Sequence, residues 1–248
     1  MFVGLFALFF VIPYISATKL PSYIRPCGRK EPNYEQCILE NVKNIKDKIC
    51  TGIPELNVSP IEPLLIEKLV IYDTPNIKMF LEDGKIRGFC DFVINSVHAD
   101  PDKLHFEFNI LIKHFEMEAT YDCDIRLLTH LAHKGTVNIT SDNTEVKQSM
   151  DFKEIIRNGK KRIYASKMSF NLNLETVDYK FDESQKELAQ FYQIVKDVVN
   201  QDKENIIKKL KPTVEEIFAK EIIAVMNEML RNHFEALFPD RTKIIVEH

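Results

Sequence analysis

Few residues in this chain are of types that could do chemistry, and their spacing suits little of it. Cysteines stand at Cys27, Cys37, Cys50, Cys90 and Cys123. His130 and His133 could share a helical face and hold a metal, but no Cys, Asp or Glu is spaced to complete a site. The pair reads as a solvent-exposed loop, and no metal is expected. His98, His105 and His114 alternate against apolar neighbours and should face water. The carboxylates of residues 202–216 lie among lysines, the pattern of a solvated helix face rather than of paired acid–base groups. No G-x-S-x-G, H-E-x-x-H, P-loop or G-x-G-x-x-G occurs. We therefore expect no enzyme and no cofactor. The chemistry left is that of disulfides and of glycosylation.

Both of these require export, and the first residues are consistent with it. The apolar run from Phe2 to Ile15 is too short to span a bilayer and ends at the small pair Ser16-Ala17. Residues 1–17 read as a secretory signal, leaving 18–248 as the mature chain. Cys27 and Cys37 flank Gly28 and Pro32 at the foot of a helix and read as a local staple made outside the reducing cytosol. Five cysteines leave at least one thiol free or intermolecular. Cys90 and Cys123 fall on alternating apolar stretches, either as small buried hydrophobes or as a bridge. Two sequons are present. In Asn138-Ile139-Thr140, Val137 and Ile139 alternate inward and leave Asn138 outward, where a glycan fits. Asn57-Val58-Ser59 is followed by Pro60 and is the weaker acceptor.

Composition narrows the partners. Hydrophobic residues make up 45% and charged residues 28%, which is ordinary for a globular domain and argues against disorder. A net charge of -4 leaves no basic excess to neutralise phosphates, so no nucleic acid is expected. No linker or clear repeat is present, so residues 18–248 read as one domain.

The elements follow from periodicity. Residues 35–49 form an amphipathic helix, with Ile38, Leu39, Val42, Ile45 and Ile49 on one stripe, stopped by Gly52 and Pro54. Strand-like stretches occupy 64–72 and 77–81, with weaker ones at 86–97 and 136–150. In 103–113 the apolar positions are even-numbered; in 115–125 they are odd. A two-residue period changes phase only through an extra residue or a bend, here near Lys113-His114. A second phase change falls at Glu175-Thr176. Long bent strands of this kind imply a strongly curved antiparallel sheet. The chain then turns helical, first around Leu188 to Val198 and then over about 204–236, where Pro212 should kink or divide the long helix. That helix is apolar over more than one stripe and should be widely buried. The expected fold is α+β and elongated: a long C-terminal helix wrapped by the curved sheet. Such a sheet encloses more space than short side chains fill, and its Phe- and Met-rich inner faces suit an adaptable apolar tunnel.

Several short motifs carry a family resemblance. They are Leu20-Pro21-Ser22-Tyr23-Ile24, the Cys27/Cys37 pair, Gly52-Ile53-Pro54-Glu55-Leu56 and the stretch from Lys134-Gly135 to Asn138-Ile139-Thr140. Residues 179–182, Leu210-Lys211-Pro212 and Leu237-Phe238-Pro239 complete the set. In this order they resemble the insect takeout/juvenile-hormone-binding family of the tubular lipid-binding superfamily. The resemblance implies a secreted carrier, in haemolymph or another extracellular fluid, of a small hydrophobic ligand such as juvenile hormone, another terpenoid, a fatty acid or an odorant. It implies a Cys27–Cys37 disulfide and a gating role for the helix of residues 35–49. No Cys follows Cys123 to complete the second disulfide of the hormone-binding branch, which points to the broader takeout-like group. A monomer is expected, with a receptor or membrane contact for ligand delivery.

Alternation nominates the tunnel wall. From the sheet come Phe106, Phe108, Ile110, Phe115, Met117 and Tyr121, then Met168, Phe170 and Leu172. From the long helix come Ile217, Phe218, Val225 and Met229. Tyr121 or Tyr179 could offer a hydroxyl to the ligand's polar end. The rivals are a secreted ester hydrolase, a lipid-transfer protein, and a protein-binding signalling or immune factor with a filled core.

Overall fold

The computed structural model describes residues 20–240 except 127–129, 158–159, 175 and 232. The expected signal sequence lies outside the described residues. Helix α1 (Tyr34–Thr51) follows the N-terminal segment and ends at Gly52, whose φ of 93° is the left-handed conformation that glycine adopts freely. Seven antiparallel strands then build one sheet. They are β1 (Leu64–Asp73), β2 (Ile77–Arg87), β3 (Phe92–Asp100), β4 (His105–Arg126), β5 (His130–Arg157), β6 (Lys160–Leu172) and β7 (Val177–Phe181). Helices α2 (Ala189–Gln201), α3 (Lys203–Leu230) and α4 (Phe234–Leu237) close the chain. Among the described residues, no helix is long and apolar enough to cross a membrane.

The sheet has two halves that meet at a crease. β4 and β5 run its full length, paired from His105↔Asp151 to Arg126↔His130. On one side of this ribbon, β2 pairs with residues 116–125 of β4 and β3 pairs with residues 105–112. On the other side, β6 pairs with residues 146–157 of β5 and β7 with residues 137–141. Each outer pair is interrupted at the same level, between Arg87 and Phe92 and between Leu172 and Val177. There Gly88 takes φ 85°, and a Cβ on it would meet the His114 carbonyl oxygen at 2.8 Å.

The anticipated phase change in β4 lies at this crease, in a different form. Lys113 and His114 both face out, as do Asp142 and Asn143 opposite them. The ladder continues one-to-one across them, from Ile112↔Thr144 to His114↔Asp142, with no inserted residue. Asn143 takes φ 52° and absorbs the turn. Inside the crease, where neither strand contributes an apolar side chain, the buried hydroxyls of Ser141 and Thr144 bond each other at 2.9 Å. The second expected phase change, at Glu175-Thr176, falls between β6 and β7, which share one register along β5; Glu175 itself lies outside the described residues.

Helix α3 runs behind the crease and carries the core of both halves. Pro212 lies within it and does not divide it; the chain breaks earlier, at Asp202 between α2 and α3. There the Tyr72 hydroxyl donates to the Asp202 carboxylate at 2.6 Å, tying β1 to the helical junction. The half containing β1, β2 and β7 packs on α2 and the first half of α3. The half containing β3 and β6 packs on α1, the second half of α3 and α4. Several apolar side chains of α3 are only half-buried, among them Ile222, Val225 and Met226.

Candidate functional site: two apolar cavities along the long helix

The space behind the sheet is not filled. One cavity of about 230 Å³ lies in the α1 half and a second of about 150 Å³ in the α2 half. A single water needs only about 10–15 Å³ on the same measure, so neither is a packing defect. The first is bounded by α1 through Ile38, Val42, Ile45 and Ile49, and by β4 through Phe106, Phe108, Ile110 and Ile112. Phe170 on β6 and Phe218, Ile222, Met226 and Met229 on α3 line its other sides. The second is bounded by Phe115, Met117 and Tyr121 on β4, by Val137 and Ile139 on β5 and by Tyr179 and Phe181 on β7. On α3 it touches Ile206, Leu210 and Val214.

The two linings share no residue. Between them stands an aromatic wall. The Phe218 ring meets Phe89 edge-on at 5.3 Å and Phe170 at 6.0 Å. On β6, Leu172 lies between Phe170, which faces the first cavity, and Leu174, which faces the second. It is buried and belongs to the partition. The wall coincides with the crease because two consecutive outward residues on each ribbon strand withdraw one row of side chains from the interior.

The nominated residues therefore divide into three groups. Phe106, Phe108, Ile110, Phe170, Phe218 and Met229 line the first cavity. Phe115, Met117 and Tyr121 line the second. Met168, Leu172, Ile217 and Val225 line neither, although Met168 is buried in the same core as the first cavity. Helix α1 was not nominated as wall, yet it forms one side of the first cavity.

The tyrosine hydroxyls are already engaged. That of Tyr121 is 2.7 Å from His133 Nδ1, and that of Tyr179 donates to Asn200 Oδ1 at 2.9 Å. Gly135 admits the Tyr121 ring, since a Cβ there would meet the hydroxyl at 2.7 Å. His133 thus lies in a strand, packed against Phe191 at 5.3 Å, rather than in an exposed loop. His130 pairs with Asp124 on the outer face, so the two histidines point apart and share no metal.

Two disulfides hold α1. Cys27–Cys37 pins its first turn to the N-terminal segment. Cys50–Cys90 joins its last turn to the segment between β2 and β3, and both of its cysteines border the first cavity. The sequence left the pairing of Cys50, Cys90 and Cys123 open, with Cys90 and Cys123 either bridged to each other or buried as free thiols. Cys123 is instead free and buried beside the second cavity, and burial pushes its thiol up to about 12. Asn138 is exposed on the outer face of β5, and Asn57 is exposed with φ 56° after the short turn Pro54–Leu56.

A curved antiparallel sheet wrapped on a long helix, with apolar cavities between them, defines the class of this α+β fold. The sequence pattern of the haemolymph juvenile hormone binding protein (JHBP) family matches residues 4–239, and the chain belongs to that family. Among solved structures it is similar to Takeout 1 of Epiphyas postvittana, with a TM-score of 0.64 and 16% identity over 84% of this chain and 95% of that one. A lipopolysaccharide binding protein matches at a TM-score of 0.43 and 10% identity, over 87% of this chain and 42% of that one. No curated protein matches the chain.

Proposed function

We propose that this protein is a secreted carrier that encloses a small hydrophobic ligand: juvenile hormone, another terpenoid, a fatty acid or an odorant. The observation that carries the proposal is the pair of apolar cavities along α3 in a family named for hormone binding. Transfer of apolar ligand surface out of water would drive uptake, at about 25 cal/mol per Å² before association costs. An unfilled interior favours this reading over a signalling or immune factor with a solid core. Binding rather than catalysis is the role the family's name supports.

Residues 1–17 would direct export, and 18–248 would act as one unit. Two disulfides and the exposed sequon at Asn138 suit an extracellular protein, and we propose Asn138 as the principal glycan acceptor. The protein would circulate as a monomer and deliver its cargo through a receptor or membrane contact. Titration with N-phenyl-1-naphthylamine tests the carrier reading: saturable fluorescence enhancement, reversed by added terpenoids or fatty acids, is expected. A folded, disulfide-intact protein that produced no enhancement would exclude it.

A further inference from the structure

Gln148 is the exception among the polar residues of the first cavity. Position 148 lies on β5 between inward-facing Val146 and Met150, and its ladder partners are Phe108 and Phe170. All four of those neighbours line the same cavity as Gln148. The other polar residues there are committed. Asn41 Nδ2 donates to the Arg25 carbonyl at 2.7 Å, and Asn41 Oδ1 accepts from the Arg25 N–H at 3.0 Å. Lys46 donates to the Phe92 carbonyl at 3.4 Å and faces Asp91 at 3.9 Å. The Gln148 amide makes no side-chain hydrogen bond among the described residues, although it carries two donors and an acceptor. Gln148 is half-buried on this apolar wall, and among the described residues no protein group pairs with its amide, so a ligand group that does gains a hydrogen bond.

We propose that Gln148 is the polar anchor of the first cavity, and that it selects an elongated apolar ligand bearing one uncharged hydrogen-bonding group. That group is a hydroxyl, an ester or ketone carbonyl, or an ether or epoxide oxygen. Nε2 donates to an acceptor on the ligand, and Oε1 receives a hydroxyl proton. The flanking rings of Phe108 and Phe170 hold the hydrocarbon on both sides of the polar group. A saturated hydrocarbon leaves the amide unpaired and binds more weakly for its area.

The inference rests on the carrier reading, and one experiment separates the two. Dodecan-1-ol, methyl laurate and dodecane are titrated against bound N-phenyl-1-naphthylamine, in the wild type and in Gln148→Leu, a substitution close in size. One net hydrogen bond corresponds to roughly a two- to tenfold change in affinity. The alcohol and the ester are expected to lose that factor in Gln148→Leu, while dodecane binds the variant as well as before or better. Retained dodecane binding also shows that the variant's cavity persists. An unchanged ratio of alcohol to dodecane affinity in Gln148→Leu would overturn the anchor and leave the carrier reading standing. Absence of displacement by all three ligands in the wild type would overturn both.

Discussion

Phe218→Ala should convert two compartments into one. The Phe218 ring is the central member of the wall, in contact with Phe89 and Phe170, and its residue is 8% exposed. Helix α3 serves as a ruler. At about 1.5 Å per residue, the first cavity's contacts from Phe218 to Leu230 span about 18 Å. Contacts of both cavities together run from Lys203 to Leu230, about 40 Å at the same rise. In the wild type, affinity for straight-chain alcohols should climb with length by up to about fourfold per methylene, which follows from about 0.8 kcal/mol per buried CH₂. It should level off once the chain exceeds about 18 Å, the length of one compartment. In Phe218→Ala the climb should continue beyond that length. Truncating a ring that already borders open space should cost about 3 kcal/mol, the low end for Phe→Ala in a core, and lower Tm by about 6–12 °C. Probe displacement by the alcohol series reads the affinities, and calorimetry reads the Tm. A plateau at the same length in both proteins, or none in the wild type, would refute a partition at Phe218.

Three other outcomes follow from the same geometry. Replacing Cys50 and Cys90 by Ser frees the last turn of α1; loop-closure entropy for the 40-residue separation predicts a loss of about 4 kcal/mol, and stopped-flow probe release should accelerate. With its thiol pushed up to about 12, Cys123 should resist iodoacetamide at neutral pH in the folded protein and react after denaturation, which mass spectrometry of the alkylated chain would reveal. His105 Nδ1 lies 2.6 Å from Asp151, and the hydrogen bond to that carboxylate, seconded by Glu107, raises its pKa. A raised folded-state pKa gives stability that is complete below the unfolded value of about 6.5 and fades as pH rises through the folded value. Denaturant titrations should therefore show His105→Asn to be more destabilising at about pH 5.5 than at about pH 8.5, by under about 1 kcal/mol for so exposed a pair. A gap that widened with pH would contradict the assignment.

Much of this was visible in the residue pattern. The even-to-odd switch between Ile112 and Phe115 correctly located the crease, because side-chain alternation in a half-buried strand is dictated by the pleat. Its form was not visible. A bulge is the local solution when one strand changes phase alone, whereas here β5 changes phase opposite β4 and the ladder stays intact. Only the pairing reveals that two neighbours turn together. Leu172 and Phe170 read alike in sequence; which of them faces a cavity depends on where Phe218 crosses the sheet. The tyrosine hydroxyls looked free because their partners, His133 and Asn200, come from other segments. Cys50 and Cys90 are 40 residues apart, and nothing local to either announces the other. Gln148, by contrast, was legible: a lone amide in the inward phase of Val146 and Met150 marks a polar position on an apolar wall. The wall drawn from alternation took no residue from the weaker strand of 136–150, and so left out its whole inward stripe.

The central claim is that the interior holds a hydrophobic molecule. The most direct measurement compares native with denaturing mass spectra of the protein secreted from a eukaryotic host. The account predicts an excess mass present only in the native spectrum and recoverable by organic extraction as a lipid or terpenoid. A native mass equal to that of the bare glycoprotein, with no uptake when apolar ligands are added, would contradict it.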